Sequence, residues 1–459
     1  MWSLDRPGRI PCVGHHRVHL LFSTGTTCIA HRTETDYLRK VWNDLAGVVE
    51  PALISRCPFR TLPRSYRGRK LLAKKIAPGA NQPAAQDIAE RKISDHCMLL
   101  PVVCLRQIGD RFMCASLLPL LVLGFTTSTL AANLAVGTAT AASGQKATGY
   151  LEVPAGIDAG TNIPVVVVKG TKPGPTLALV AGAHGTEYAS IIALESVIQS
   201  VDPQDVSGAL IIVPLVNVAS FEKKVPHVNP TDGKSMNRFY PGNPNGTQTE
   251  RALAVITKEV VEKCDYLIDL HGGDLDESLR PYSYWSKTGD ERLDNASRGM
   301  VLAFGLDHII FVTDRPKDPS ASRYLDSTAS TRGKPAIAVE AGYSGTTDGD
   351  DVQALVDGCY NVMRFLKMLP GKASAVEHPV WIGKVASVTS ESSGIFYPSV
   401  ERGTYVAEGM KIGYVTDFFG KTVWEAHAPN AGVVLYVCSV PTMNKGDNVA
   451  NIGLVINEP

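Results

Sequence analysis

The apolar run Thr176-Leu177-Ala178-Leu179-Val180-Ala181-Gly182 leads directly into Ala183-His184-Gly185-Thr186-Glu187. A short apolar run bounded by glycine reads as a buried strand, and the residues from Tyr188 to Ile198 carry the apolar spacing of a helix. Strand, sharp turn and helix in this order call for an α/β layer. They put His184 and Glu187 at the carboxyl end of a strand, where open α/β sheets place their sites. Three positions apart on a first helical turn, two side chains can point the same way, and Gly182 and Gly185 let the chain bend between them. A second strand-like run, Asp265-Tyr266-Leu267-Ile268-Asp269-Leu270, ends on His271. Two imidazoles and one carboxylate suffice to hold a catalytic zinc with its fourth position open. A lone His-x-x-Glu is a weak signal; the strand contexts, the glycines and the second strand-end histidine give this one weight.

Strand signals recur at 164–169, 176–182, 209–216, 265–271, 307–313 and 335–341. Helix signals fall at 187–200, 249–263 (with Thr249 as a plausible cap), 290–304 and 351–368. Alternation of this kind predicts an α/β fold, a mixed, largely parallel sheet with helices on both faces. Pro370-Gly371 ends it, and residues 373–459 turn to Val, Gly and short strand signals, which predict a small all-β module.

Two further segments bear on chemistry. Ser235-Met236-Asn237-Arg238-Phe239-Tyr240-Pro241-Gly242 sets an amide beside a guanidinium in a loop, and the planar fork of Arg238 suits a carboxylate. A plain surface arginine is the alternative. Pro335-Ala336-Ile337-Ala338-Val339-Glu340-Ala341-Gly342 is an apolar strand with one carboxylate near its end, suited to a general base, with a helix-capping or solvated loop carboxylate as the alternative.

In the order His-x-x-Glu, Asn-Arg, His, Glu, these segments resemble the zinc carboxypeptidase superfamily, and within it the succinylglutamate desuccinylase/aspartoacylase family. The resemblance covers about residues 150 to 459 and rests on 182–187, 232–242, 269–271 and 340–342. It implies a zinc carboxypeptidase-like fold and one Zn2+ per chain, held by His184, Glu187 and His271. It implies Glu340 as the base that takes a proton from water, and Asn237 and Arg238 as the clamp on a substrate carboxylate. The family tends to place an arginine some ten residues upstream of the Asn-Arg pair. This chain has Lys223-Lys224-Val225-Pro226-His227 there, so His227 or Lys224 is the candidate to bind substrate and polarise its carbonyl.

The same resemblance likens the C-terminal region to a biotinyl/lipoyl-like β-module that narrows the mouth of the site, with Tyr397 or His427 within its reach. Lys411 faintly echoes a modified lysine, but an ordinary strand residue is the better reading. The implied activity is cleavage of an amide bond in an N-acyl amino acid-like substrate. A zinc carboxypeptidase acting on peptides or cell-wall peptides is the alternative. Partners are expected to be small-molecule substrates.

Composition bounds the rest. Residues 1–98 hold 16 Lys/Arg and 8 Asp/Glu, leaving 29 basic and 37 acidic residues of the chain's 45 of each. The body is mildly acidic, which argues against nucleic-acid binding. Residues 1–112 show no sustained periodicity and read as a doubtful extension. Residues 113–145 read as signal peptide and linker. The apolar run Met113–Phe125 is too short to span a bilayer comfortably; Arg106 and Arg111 precede it, and the small-residue stretches 129–132 and 139–143 follow. The expectation is a translation start at Met98 or Met113, export to the periplasm or medium, and no membrane span in the mature chain; a buried helix or a membrane anchor is the competing reading of the apolar run. The hydrolase domain is expected at 146–372. Cys264, Cys359 and Cys438 are too few and too spread for a disulfide framework. His308 reads as a core imidazole, His378 as solvated, and Asp348 to Asp351 as complementing a helix start, with calcium as the alternative.

Overall fold

The structure, a computed structural model, describes residues 133–459, so the expected apolar export signal lies outside the described residues. In chain order, β1 (Leu134–Val136) and β2 (Ala139–Ala141) form a hairpin, and β3 (Gln145–Val153) pairs with β4 (Thr161–Lys169). Then β5 (Lys172–Ala181) leads into α1 (Tyr188–Ser200), followed by β6 (Ser207–Val213), α2 (Val218–Lys223), α3 (Gln248–Ile256), β7 (Tyr266–His271) and β8 (Glu277–Ser286). Next come α4 (Glu291–Phe304), β9 (His308–Val312), α5 (Leu325–Ser330), β10 (Ala336–Tyr343) and α6 (Gly349–Phe365). The C-terminal region adds β11 (Val380–Thr389), β12 (Gly394–Pro398), β13 (Tyr405–Val406), β14 (Lys411–Thr416), β15 (Thr422–His427), β16 (Gly432–Cys438), β17 (Thr442–Met443) and β18 (Asn448–Ile456).

The large sheet runs β13-β16-β18-β11-β9-β8-β10-β7-β5-β6-β4-β3. Its centre, β10-β7-β5-β6, is parallel, while β4, β3 and the β10–β8 pair are antiparallel. "Mixed" is therefore right: a second parallel stretch, β8-β9-β11, lies beyond the antiparallel β10–β8 pair, and both edges of the sheet are antiparallel. Alternate residues of β5 feed opposite cores: Leu177, Leu179 and Ala181 meet Leu194 and Val197 of α1, whereas Ala178 and Val180 meet Leu253 and Ile256 of α3. Burial on both faces is why the strand reads as a continuous apolar run. The helix begins at Gln248 and is capped by Thr247, two residues before the expected Thr249, because Thr247 and Glu250 form a capping box.

The C-terminal strands do not stand apart as a separate module. β11 extends the sheet from β9, and β16 pairs back onto β8 through Tyr436 and Leu279. The ring β8-β9-β11-β18-β16 is thus a closed five-stranded barrel, with Tyr282, Ile310, Ile382, Val433 and Leu435 packed together. β13 pairs onto β16 at the edge of the large sheet, and four further strands, in the order β15-β14-β12-β17, form a second sheet. The expected 146 boundary falls inside β3, and the small residues Ala139 and Ala141 are buried in β2. Cys264, Cys359 and Cys438 are free and buried, His308 is buried, and Asp348 caps α6 through the backbone N–H groups of Asp350 and Asp351. Among the described residues no helix is long and apolar enough to cross a membrane.

Candidate metal centre and active site

Sheet register assembles the site. In the parallel pair β5–β7, Ala181 lies beside Leu270, so the turn after β5 opens next to the end of β7. His184 sits in that turn, Glu187 is the N-cap residue of α1, and His271 closes β7. Gly182 has φ +70 there, and a Cβ on Gly185 would lie 2.3 Å from the Phe221 nitrogen of α2, so both positions favour glycine. One ligand atom from each of His184, Glu187 and His271 falls within 4.8 Å of the others. On the other side of β7, Glu340 of β10 is the register partner of His271. The sheet therefore brings together all four residues expected to act on the metal and the water.

The surroundings fit a cation. The Nδ1 of His184 lies 2.9 Å from the His227 carbonyl oxygen, which leaves Nε2 as its free lone pair. Burial holds this imidazole below its ordinary pKa, in the neutral form a ligand needs. His271 has Nδ1 2.9 Å from Glu187 Oε2 and Nε2 3.3 Å from Asp269 Oδ1. Burial alone would lower the His271 pKa, but Asp269 and Glu187 outweigh it and raise it well above the usual value. Glu187 mirrors this: burial pushes its carboxyl up, and His271 and His184 bring it net below. A buried pair that retains a proton in this way has a place for positive charge, and a divalent cation would fill it. Glu340 is raised well above the carboxylate range, by burial first and then by Glu187, Glu277 and Asp269, with His271 opposing.

These groups line a cavity of about 590 Å³. His227 lines it too, in the left-handed region at φ +61. Its Nε2 lies 3.0 Å from Asp276 Oδ1, and its backbone N–H donates to Asp274 Oδ2. The Asp276 contact, against burial, lifts His227 to about 9, so the ring is cationic at neutral pH. Lys224, the other candidate, is exposed and absent from the wall. Asn237 reaches the site with Nδ2 3.1 Å from His271 Nε2. Arg238 is exposed at the wall, 5.1 Å above the Tyr324 ring.

Sequence reasoning missed several contributors. Arg315 lies 4.0 Å above the same Tyr324 ring, and its buried Nε has no hydrogen-bond partner; it stands in a patternless loop, and no signal marked it. Glu277, Tyr282 and Tyr284 sit on β8, which went unrecognised because Pro281 interrupts it. Pro281 is tolerated where β8 exchanges one neighbour for another: Tyr282 pairs with His308 of β9, Leu279 pairs with Tyr436 of β16, and the β10 register shifts between Glu340 and Gly342. The Tyr-x-Tyr alternation was the available signal. From the C-terminal region Tyr436 and Asn451 form part of the wall. Tyr397 and His427 do not: Tyr397 stacks on Tyr414 at 5.1 Å, and His427 lies 3.9 Å from Glu425. Lys411 is bonded to Glu425 as an ordinary strand residue.

Residues 173–366 match the Succinylglutamate desuccinylase/Aspartoacylase catalytic domain. The N-alpha-acetyl-L-2,4-diaminobutyric acid deacetylase of Halomonas elongata is 28% identical over 318 residues, 67% of this chain and 91% of its own length. The product-bound ectoine utilization protein EutE (DoeB) of Ruegeria pomeroyi superposes with a TM-score of 0.61 at 26% identity, over 67% of this chain and 95% of that one. A succinylglutamate desuccinylase/aspartoacylase from Rhodobacter sphaeroides shares the fold, with a TM-score of 0.61 at 23% identity over 68% and 96% of the two chains.

Proposed function

We propose that the chain, whose residues 173–366 match the succinylglutamate desuccinylase/aspartoacylase catalytic domain, is a member of that family and a zinc-dependent deacylase of N-acyl amino acids. The observation that carries this reading is the convergence of His184, Glu187 and His271 at one strand-end cavity with Glu340 in register beside His271. His184, Glu187 and His271 would hold one zinc ion, with Asp269 orienting His271. When bound, the metal supplies Lewis acidity that polarises a carbonyl and acidifies water. Glu340 takes the proton of the attacking water and returns it to the leaving amine. The cationic ring of His227 faces the oxygen on which charge develops. Arg238, joined by Arg315 over the shared Tyr324 ring, holds the substrate carboxylate, and Asn237 fixes His271.

The deacetylase of Halomonas elongata, named for N-alpha-acetyl-L-2,4-diaminobutyric acid, supports an acetylated amino acid as the substrate class. The C-terminal region supplies Tyr436 and Asn451 to the cavity wall; we take a wall on that side to hinder an extended peptide, and so favour the deacylase over the carboxypeptidase alternative. We further propose export to the periplasm or medium, on the apolar run Met113–Phe125 and its flanks. Sequencing the N-terminus of the protein isolated from its host checks this: a mature start after residue 125 is expected, and peptides from 1–97 contradict it.

The activity test is primary-amine release by zinc-loaded protein from N-acyl amino acids beside short peptides. Release from the acyl amino acids is expected. Release from peptides alone would move the chain to the carboxypeptidases.

A further inference from the structure

Each carboxylate around the cavity has a partner or a task, save one. Glu187 belongs to the metal triad and Glu340 to the water. Asp269 backs His271, and Asp276 holds His227. Asp274 accepts from the Thr186 hydroxyl and the His227 N–H. Asp326 accepts from the Ser286 and Ser327 hydroxyls and lies 4.0 Å from Arg315. Glu277 remains. It lines the cavity, and its carboxylate receives one backbone N–H, from Asp274, at 3.1 Å. No side chain forms an ion pair with it among the described residues; the cationic ring of His227 acts on it only from beyond pairing distance. A half-buried carboxylate inside a functional cavity loses solvation that one amide does not restore. The group missing is a cation, and the clamp of Arg238 and Arg315 already accounts for the anionic end of a ligand.

We propose that Glu277 binds the ammonium group of a substrate whose amino acid side chain is cationic, so that the cavity selects N-acyl diamino acids over their neutral analogues. This rests on the deacylase reading of the cavity. A zwitterionic product would meet guanidinium groups at its carboxylate and Glu277 at its side-chain amine. That pairing discriminates because a neutral side chain leaves the carboxylate buried without a partner.

The test is calorimetric, on the zinc-loaded full chain, with 2,4-diaminobutyrate and 2-aminobutyrate as ligands. The two share the α-amine and α-carboxylate and differ at the side-chain ammonium. The diamine is expected to bind about tenfold tighter or more, in keeping with a charge-assisted bond in a partly dry site. In Glu277→Gln, which keeps an acceptor for the Asp274 N–H, the ratio is expected to fall towards one. Equal binding in the unaltered protein, no binding of either, or a preference that survives Glu277→Gln overturns the assignment. Hydrolysis of the two N-acetyl derivatives separates the two readings. Selective binding of the diamine without cleavage of either derivative leaves Glu277 assigned and refutes the deacylase. Cleavage without selective binding does the reverse.

Discussion

The guanidinium of Arg402 donates through Nη1 to the carbonyl of Gly342 at 3.0 Å, two residues beyond Glu340. The same nitrogen reaches Leu279 of β8 at 2.8 Å and Asp351 of α6 at 2.9 Å. The register of β10 against β8 shifts between Glu340 and Gly342, so Arg402 fastens the C-terminal region at the irregularity next to Glu340. Arg402→Ala is expected to lower kcat about tenfold with a smaller change in KM, through misplacement of Glu340. It should also cost roughly 1–3 kcal/mol of stability, because Asp351 loses its partner. Arg402→Lys should restore part of the stability. Steady-state kinetics beside urea unfolding measure both effects.

Glu340→Gln keeps the shape of the side chain and removes its proton chemistry. Zinc content by atomic absorption is expected to stay at one per chain, while kcat falls by about 10²–10⁴. Turnover near that of the unaltered enzyme removes Glu340 from the mechanism.

Arg238 and Arg315 share the ring of Tyr324, at 5.1 and 4.0 Å. Each alanine variant is expected to lose roughly 1.5–3 kcal/mol in kcat/KM for an N-acyl amino acid, about ten- to a hundredfold. An amide derivative lacking the α-carboxylate should show little loss in the same variants. Equal losses on both substrates would place the clamp elsewhere.

Asp307 anchors the start of β9, with its carboxylate against His308 at 2.9 Å and Arg280 at 2.7 Å. Chiefly through the His308 contact, its pKa is depressed to about 2. A group depressed in the folded state stabilises above its unfolded value and loses that contribution as pH falls through the folded one. The stability gap between the unaltered protein and Asp307→Asn should therefore be full above about pH 4 and close towards pH 2. Asp307 is half exposed, so the gap should be small. Urea midpoints across that range follow it.

Much of the site was legible because its ligands sit at the ends of strands with strong local patterns. The run into His184 and the run into His271 each carried their own signal, and parallel pairing of β5 with β7 closed the long sequence separation between them. What stayed hidden lacked local pattern. Pro281 masked β8, and with it Glu277 and the two tyrosines, because the corner that tolerates a proline exists only once β16 has folded back onto β8. The barrel itself was invisible for the same reason: nothing in residues 432–438 says which strand they will meet. Arg315 is set by tertiary packing on Tyr324, and a loop residue of that kind leaves no trace in periodicity.

The most direct test strips the full chain of metal by chelation and titrates zinc back while following amine release from N-alpha-acetyl-L-2,4-diaminobutyric acid. Activity is expected to vanish on stripping and to return in proportion to zinc, saturating at one ion per chain, with no return in His271→Ala. Activity that survives stripping, or that returns in His271→Ala as it does in the unaltered chain, would contradict a metal centre built from His184, Glu187 and His271.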